Sequence, residues 1–536
     1  MNKKRLHIEL FAGCGGMGLG LDAAGFELYF ANELSPMAGE TFSYNLLGEN
    51  LEELSESEGT PEKTLWIKSK FTKEKLSNRL RENPFEAKIG EFSDLGPEVN
   101  LEKKLLIGDI DNLLTWLESN VNVVRDLQKK DITLLSGGPP CQSFSLAGKR
   151  EKNNAKNLLP LSFSKFAGLI KPKVVLLENV KGITAPFLEN GKKHYAWLEV
   201  SKAFALEGYV PVCMLLNSKY FGVAQNRPRF ILLALRLDIA KKLYQKKKED
   251  FLKKGLEFYS IVNEKKEKLN EIGLDTLDYY DIELDKYKSL YNGFVFPKIT
   301  NNDGEFISAA EAIGDLKKVD GTITFSKSRI VYRDLINKTF NSEGIQLNLF
   351  NNHEPREHSY RVKARFRLYQ VINEFKNGNK KNATDFLTGK DLDNISLEKL
   401  LKEFNGHELY LKNGSKDGYY KKLESNEDVQ NHLIQIQTKK HSQQALKEDE
   451  PAPAQLTIPD DICHYDMGQL RTLTVREMAR FQSFPDWFTF RSKITTGGDN
   501  RKFEAPQYTQ VGNAVPPLLA KALGESIINI LKEVES

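Results

Sequence analysis

The stretch Leu6–Gly20, LHIELFAGCGGMGLG, decides how the rest of the chain is read. Leu6–Leu10 has the short apolar run of a buried strand. It leads into a turn with glycines at positions 13, 15, 16, 18 and 20. A strand, then glycines, then a helix lets backbone approach a nucleotide-like ligand closely. Glu33 stands 20 residues after Gly13, just past the apolar run Leu28–Ala31. A carboxylate there is placed for ribose hydroxyls. Taken alone, the turn fits a dinucleotide site, an S-adenosylmethionine site or a tight structural turn.

Five more apolar runs follow: Leu105–Ile107, Ile132–Leu135, Val174–Leu177, Val210–Leu216 and Phe230–Leu235. The stretches between them are long enough for crossover helices, which predicts a mostly parallel, doubly wound α/β sheet. Ligands of such sheets bind beyond the carboxyl ends of the strands. Asp109, just past one run, is placed either to accept from an adenine amino group or to cap a helix. Another run exits through SGGPPCQSFS, Ser136–Ser145. Two prolines make that exit rigid and hold Cys141 out of a core, facing a cleft. Its thiolate is the reactive form, and nearby cations favour it. Glu178 ends the neighbouring run, placed to hold or share a proton with a ring nitrogen, or to cap a helix. Gln225–Arg229, QNRPR, sets two arginines around a proline, a pattern suited to phosphate or carboxylate.

Composition narrows the class. The 536 residues are 40% hydrophobic and 28% charged, enough for a sizeable core and several domains. No apolar run approaches the roughly 20 residues of a bilayer-spanning helix, and MNKKRLHIEL lacks the apolar region of a signal peptide. Neither a membrane protein nor a secreted one is expected. Four cysteines without a C-x-x-C pair make neither a disulfide framework nor a zinc site. His353, His358 and His464 are not spaced as ligands, so no metal is expected. The net charge of +4 requires any nucleic-acid footprint to be local. Arg356–Lys381 supplies one, with eight basic and two acidic residues interleaved with Tyr360, Phe366 and Tyr369. It reads as a DNA-facing surface or a solvated amphipathic helix. The segments 46–104 and 240–300 read as polar insertions, the second one helical and solvated.

The ordered set LFAGCGGMGLG, ANE (Ala31–Glu33), GDI (Gly108–Ile110), GGPPCQSFS, ENV (Glu178–Val180) and QNRPRF (Gln225–Phe230) resembles the DNA (cytosine-5) methyltransferases. RTLTVREMARFQSFPDWF (Arg471–Phe488) and QYTQVGNAVPP (Gln507–Pro517) complete it. The resemblance, to the bacterial restriction-modification type, implies a Rossmann-like, S-adenosylmethionine-dependent methyltransferase core of the α/β doubly wound class. A second, smaller target-recognition domain accompanies it. The catalytic core would span 1–320 with insertions near 46–104 and 240–300. The recognition domain would span 321–500, including the RTLTVRE segment, and 501–536 would return to the core.

For S-adenosylmethionine the resemblance implies Phe11, Gly13, Gly15, Glu33, Asp109, Ile110, Asn513 and Val515. For catalysis it implies Cys141, Glu178, Arg227 and Arg229. Cys141 would add to C6 of a flipped-out cytosine and Glu178 would serve N3. Arg229 would hold the base or its phosphate, and Arg227 would support the loop. Gln142, Ser143, Ser145, Arg361 and Arg365 would face DNA. The expected partners are double-stranded DNA and a cognate restriction endonuclease acting on the same site. The expected state is a cytoplasmic, nucleoid-associated bacterial monomer with no membrane contact. Two alternatives are a tRNA cytosine-5 methyltransferase and a catalytically inactive DNA-binding regulator. The long 320–455 region speaks against the first, and intact Cys141, Glu178 and Arg229 against the second. A nicotinamide dehydrogenase leaves Gly137–Ser145 and Gln507–Pro517 unexplained.

Overall fold

The structure, a computed structural model, describes residues 5–140, 159–189, 192–316, 318–319, 322–323, 330–340, 351–375, 377–413, 417–440, 442–454, 457 and 459–536. Nine strands share one sheet: β1 (Leu6–Leu10), β2 (Glu27–Glu33), β3 (Thr64–Trp66), β4 (Lys104–Ile107), β5 (Leu134–Gly137), β6 (Val174–Val180), β7 (Tyr209–Asn217), β8 (Pro228–Arg236) and β9 (Tyr279–Asp281). Their order is β9-β7-β8-β6-β5-β1-β2-β4-β3. Only β8 runs antiparallel to its neighbours; the other pairs are parallel. The chain leaves β1 on one side for β2 and β4, then crosses to β5 on the other. The strand order therefore reverses beside β1, which opens a crevice at that carboxyl edge. This is the doubly wound α/β class expected from the sequence.

Side chains alternate across the sheet, as the strand period of two requires. Val175, Leu177, Phe230 and Leu232 face one side with Phe163 and Phe166 of the helix Leu159–Ile170. Val174, Leu176, Ile231 and Leu233 face the other with Leu519, Leu523 and Ile527 of the C-terminal helix Pro517–Glu535. Both faces are buried, which is why these strands read as continuous apolar runs.

The C-terminal helix lies along Gly16–Ala23, the helix that follows the glycine turn. A Cβ on Gly20 would stand 2.3 Å from the Pro517 carbonyl oxygen and 2.5 Å from Ala520 Cβ. Glycine at this position therefore serves helix contact, not turn geometry.

Each insertion adds an edge strand. β3 comes from 46–104, and β9 comes from 240–300. The second insertion departs from the expected solvated helix: Phe251, Leu252, Phe258 and Val262 of Asp250–Glu264 are buried against the sheet. Its lysines mark only the outward face. In the first insertion, buried Arg79 pairs with Asp94 at 2.7 Å and lies 5.2 Å over the Trp66 ring.

A separate apolar cluster runs from Ala364 to Cys463. It joins the helices Tyr360–Glu374, Asn377–Leu387, Asn394–Phe404 and Asn426–Gln435 to a hairpin of Glu408–Asn413 and Asp417–Lys422. The basic stretch lies on the first of these helices, and much of it turns inward. Phe366, Arg367 and Tyr369 are buried, and Arg367 donates to the Glu408 carbonyl at 2.8 Å. The RTLTVRE helix, Val475–Phe481, packs elsewhere, in a cluster with Cys14, Leu19 and Ala514. Its charges are buried in pairs. Arg471 donates twice to Glu477 at 2.7 Å, and Arg480 grips Asp315 and Asp486. Burial alone would raise the Glu477 carboxyl, but Arg471 beside it holds the carboxyl down at about 2. No single helix among the described residues is long and apolar enough to cross a membrane.

Gly20→Val forces the first and last helices apart. The expected cost is about 1–3 kcal/mol, the usual range for overpacking, read as a lower denaturant midpoint with unchanged m-value. A wild-type midpoint would show that the two helices do not depend on this contact.

Candidate active site

The site forms at the carboxyl edge, in two corners. The first is the turn after β1. Phe11 has a left-handed backbone (φ +53°), unusual for a bulky residue, and Gly13 and Gly15 follow at φ +56° and +96°. The Phe11 ring meets Phe163 edge-on at 6.2 Å. The Gly13 N–H donates to Glu33 Oε2 and the Ser35 N–H to Glu33 Oε1, both at 2.8 Å. Burial pushes the Glu33 carboxyl up, and these two backbone donors oppose the shift. Asn32 Nδ2 donates to the carbonyls of Leu106 and Gly108, both at 3.0 Å, and so fixes the end of β4 against β2. Asp109 caps the next helix by accepting from the Asp111 N–H at 2.9 Å through Oδ1. Ile110 is buried in the core behind it.

The C-terminal segment closes this corner. A Cβ on Gly16 would stand 2.4 Å from the Val515 carbonyl oxygen. Val515 is buried and Asn513 exposed. On the side of Gly13 where a Cβ would project, nothing lies within 4 Å. Open space at a left-handed glycine, with a carboxylate anchored below it, fits a nucleoside cofactor.

The second corner lies at the ends of β5 and β6. The Arg229 guanidinium meets Glu178 through Nε–Oε1 at 2.7 Å, with each side chain 10% exposed. Burial lowers the Arg229 guanidinium from its ordinary value, and Glu178 counteracts this. Arg229 Nη1 donates to the Pro228 carbonyl at 2.9 Å. A Cβ on Gly138 would be 3.1 Å from Glu178 Oε2, so the turn approaches this carboxylate closely. Asn179 Nδ2 donates to the Pro139 carbonyl at 2.9 Å. The start of the Gly-Gly-Pro-Pro turn is thus fastened beside Glu178. Cys141, Gln142, Ser143 and Ser145 lie outside the described residues.

Arg227 faces away from this corner. It is fully buried, and its Nη2 donates to the carbonyls of Gly512 and Ala514 at 2.9 and 3.0 Å. It ties β8 to the segment that closes the cofactor corner. Arg361 donates to the Gln435 carbonyl, and Arg365 to the Arg361 carbonyl of its own helix.

Two further residues, neither singled out in the sequence, brace these corners. Asn217, the last residue of β7, accepts from the Arg227 N–H at 3.0 Å and donates to Asn226 Oδ1 at 2.7 Å and to Glu283 Oε1 at 2.8 Å. Gln510 accepts from Thr41 Oγ1 at 2.6 Å and donates to the Met37 carbonyl at 3.1 Å. A carboxamide at the carboxyl end of a strand was the available signal for Asn217. Gln510 lies in the Gln507–Pro517 motif, which marked the segment but not this residue's role.

A doubly wound sheet with a glycine turn bonded to a buried carboxylate and an acid–arginine pair along the same carboxyl edge is the layout of an enzyme that uses a nucleoside cofactor. The sequence model of the C-5 cytosine-specific DNA methylases matches residues 6–68 and 100–529. The chain belongs to that family. It is 24% identical to the type II methyltransferase M.DdeI of Desulfomicrobium norvegicum, over 97% of this chain and 88% of that protein. It is 24% identical to the type II methyltransferase M1.HphI of Haemophilus parahaemolyticus, over 98% and 87%. Among solved structures, the Dnmt2 methyltransferase of S. pombe aligns over 99% of this chain and 98% of its own, with 13% identity and a TM-score of 0.39.

Arg227→Met keeps the stem and strands two buried carbonyls, each costing about 1–3 kcal/mol. Cofactor affinity measured by calorimetry is expected to fall at least tenfold, with the circular dichroism of the folded protein retained. Unchanged affinity would separate Arg227 from the cofactor corner.

Proposed function

We propose that the protein methylates C5 of a flipped-out cytosine within a specific double-stranded DNA sequence, as the modification enzyme of a type II restriction-modification system. The Glu178–Arg229 pair carries this reading, set against the turn that leads into Cys141. Type II methyltransferases matched along nearly the whole chain support the biological setting.

S-adenosylmethionine, when bound, supplies an electrophilic methyl group on a sulfonium. Glu33 would hold the ribose, Asp109 and Ile110 the adenine. Phe11, Gly13, Gly15, Asn513 and Val515 would line the rest. Cytosine C5 is a weak nucleophile. The Cys141 thiolate adds to C6, and the electron pair displaced from the C5–C6 bond makes C5 nucleophilic. Glu178 donates a hydrogen bond or proton at N3, where negative charge builds. Arg229 holds the Glu178 carboxyl in place and faces the base or its phosphate. With the cofactor bound, C5 would form its bond to the methyl carbon as the S–CH3 bond breaks, the pair staying on sulfur as a neutral thioether. Loss of the C5 proton expels the thiolate and restores the ring. Arg227 positions the cofactor segment and touches neither substrate. Flipping the base costs a few kcal/mol. Gln142, Ser143 and Ser145 would border the vacated space.

The recognition function would sit on the body with its own core between Ala364 and Cys463, narrower than 321–500. The RTLTVRE helix then belongs with the catalytic side. Arg361 and Arg365 would reach DNA from their helix. The working state would be a cytoplasmic monomer on the nucleoid, with an endonuclease of the same specificity as its biological counterpart.

Bisulfite sequencing of DNA from expressing cells should reveal one methylated motif, lost in Cys141→Ala. Methylation of tRNA but not of DNA would overturn the reading. Glu178→Gln should slow methyl transfer by about 10²–10⁴-fold while cofactor binding stays intact; a wild-type rate would remove Glu178 from the chemistry.

Burial pushes the Cys14 and Cys213 thiols up to about 12 and raises Cys463 as well. A thiol reagent at pH 8 should therefore label the native protein at one fast site, absent in Cys141→Ser. Fast labelling that persists in Cys141→Ser would contradict the burial of the other three.

A further inference from the structure

Beyond Val180 the chain does not return at once to the sheet. It makes a short 3-10 turn, Lys181–Thr184, and then a hairpin of Phe187–Glu189 and Lys192–His194. Only then does the helix Ala196–Leu206 lead back. This excursion begins three residues after Glu178, so it projects from the carboxyl edge that carries the catalytic pair.

Its two faces differ. Ile183 is fully buried, and Phe187 is 5% exposed with its ring stacked on His194 at 5.6 Å. Those contacts anchor the excursion. On the other face Leu188 pairs across the hairpin with Lys193. Leu188 is 73% exposed, and Lys193 and Lys181 are exposed. Neither lysine has an ion-pair partner among the described residues. A lone exposed leucine is ordinary on a protein surface. One set opposite a lysine with no ion-pair partner among the described residues, on an anchored hairpin at the carboxyl edge, is a different arrangement. It offers two cations and an apolar side chain to whatever lies across that edge.

We infer that the paired strands Phe187–Glu189 and Lys192–His194, with Lys181 at their base, form a contact surface for the duplex flanking the target cytosine. Lys181 and Lys193 meet backbone phosphates. Leu188 lies against the sugar and base surface beside the flipped nucleotide, where an apolar side chain covers surface that unstacking exposes. The inference rests on the DNA reading proposed above. It assigns to the catalytic side a share of DNA binding separate from the recognition body.

The test uses the full-length protein and a duplex of about 20 base pairs without regard to sequence, because phosphate contacts are sequence-independent. Affinity is read by fluorescence anisotropy from 50 to 200 mM salt, at roughly the range where counterion release dominates. In Lys181→Ala/Lys193→Ala the slope of log affinity against log salt should shrink by about 1.8, near 0.9 per lost phosphate contact. Leu188→Ser, whose contact needs the flipped base, should keep the wild-type affinity and slope on this duplex and slow methylation of unmethylated genomic DNA severalfold; a wild-type methylation rate would remove Leu188 from the contact. Lys181→Arg/Lys193→Arg should keep the wild-type slope, which guards against a folding defect. If wild type binds duplex and the double alanine variant keeps its slope, the hairpin is not a DNA contact. If the double arginine variant loses slope equally, the charge is not what matters and the inference fails. If wild type binds no duplex at all, this inference and the DNA reading fall together.

Discussion

One buried guanidinium holds the working parts in place. Arg227 sits at the start of β8, and its Nη2 reaches the carbonyls of Gly512 and Ala514, nearly 300 residues further along the chain. Burial and the neighbouring Arg229 cation both work against its charge. It is retained in a place where loss would leave two carbonyls without partners. Through it, the strand that presents Arg229 to Glu178 is coupled to the segment that closes over the glycine turn. The Glu178–Arg229 corner and the glycine-turn corner thus share one brace. Asn217 extends that brace to Glu283, so the second insertion also reaches the arginine strand through side-chain bonds.

The same device recurs in the Arg471–Phe488 segment. Arg476 donates to the carbonyls of Asn351, Pro485 and Phe488, and Arg480 bridges Asp315 and Asp486. Buried arginines with backbone and carboxylate partners leave little freedom in how a segment sits, because each unmade bond is costly. The segment stands between the sheet and the body at Ala364–Cys463. Its charge is spent internally on geometry and leaves no basic surface.

Much of this was legible in the sequence. The apolar runs marked seven of the nine strands, and the residues just after them marked both corners. Glu33, Asp109, Glu178 and Arg229 all fall where strand ends put them. The two edge strands, Thr64–Trp66 and Tyr279–Asp281, were not legible. Each is three residues long, inside a charged stretch whose composition speaks for the outward face only. The helix Tyr360–Glu374 misled in a related way: its arginines read as a surface, but Arg367, Phe366 and Tyr369 point into a core. Gln510 acts through Met37 and Thr41, far away in sequence, so its motif marked the segment without revealing the brace.

The packing of Gly16–Ala23 against Pro517–Glu535 has a consequence for synthesis. Nearly 500 residues of chain separate the helix Gly16–Ala23 from the helix that covers it, Pro517–Glu535. At about 5–20 residues per second, a growing chain keeps the first helix uncovered for tens of seconds. β1, at the centre of the sheet, waits as well for β5 and β6 to complete its surroundings. The corner at the glycine turn is therefore completed by residues translated long after the turn itself, and any fragment lacking Pro517–Glu535 leaves the helix Gly16–Ala23 without its packing partner.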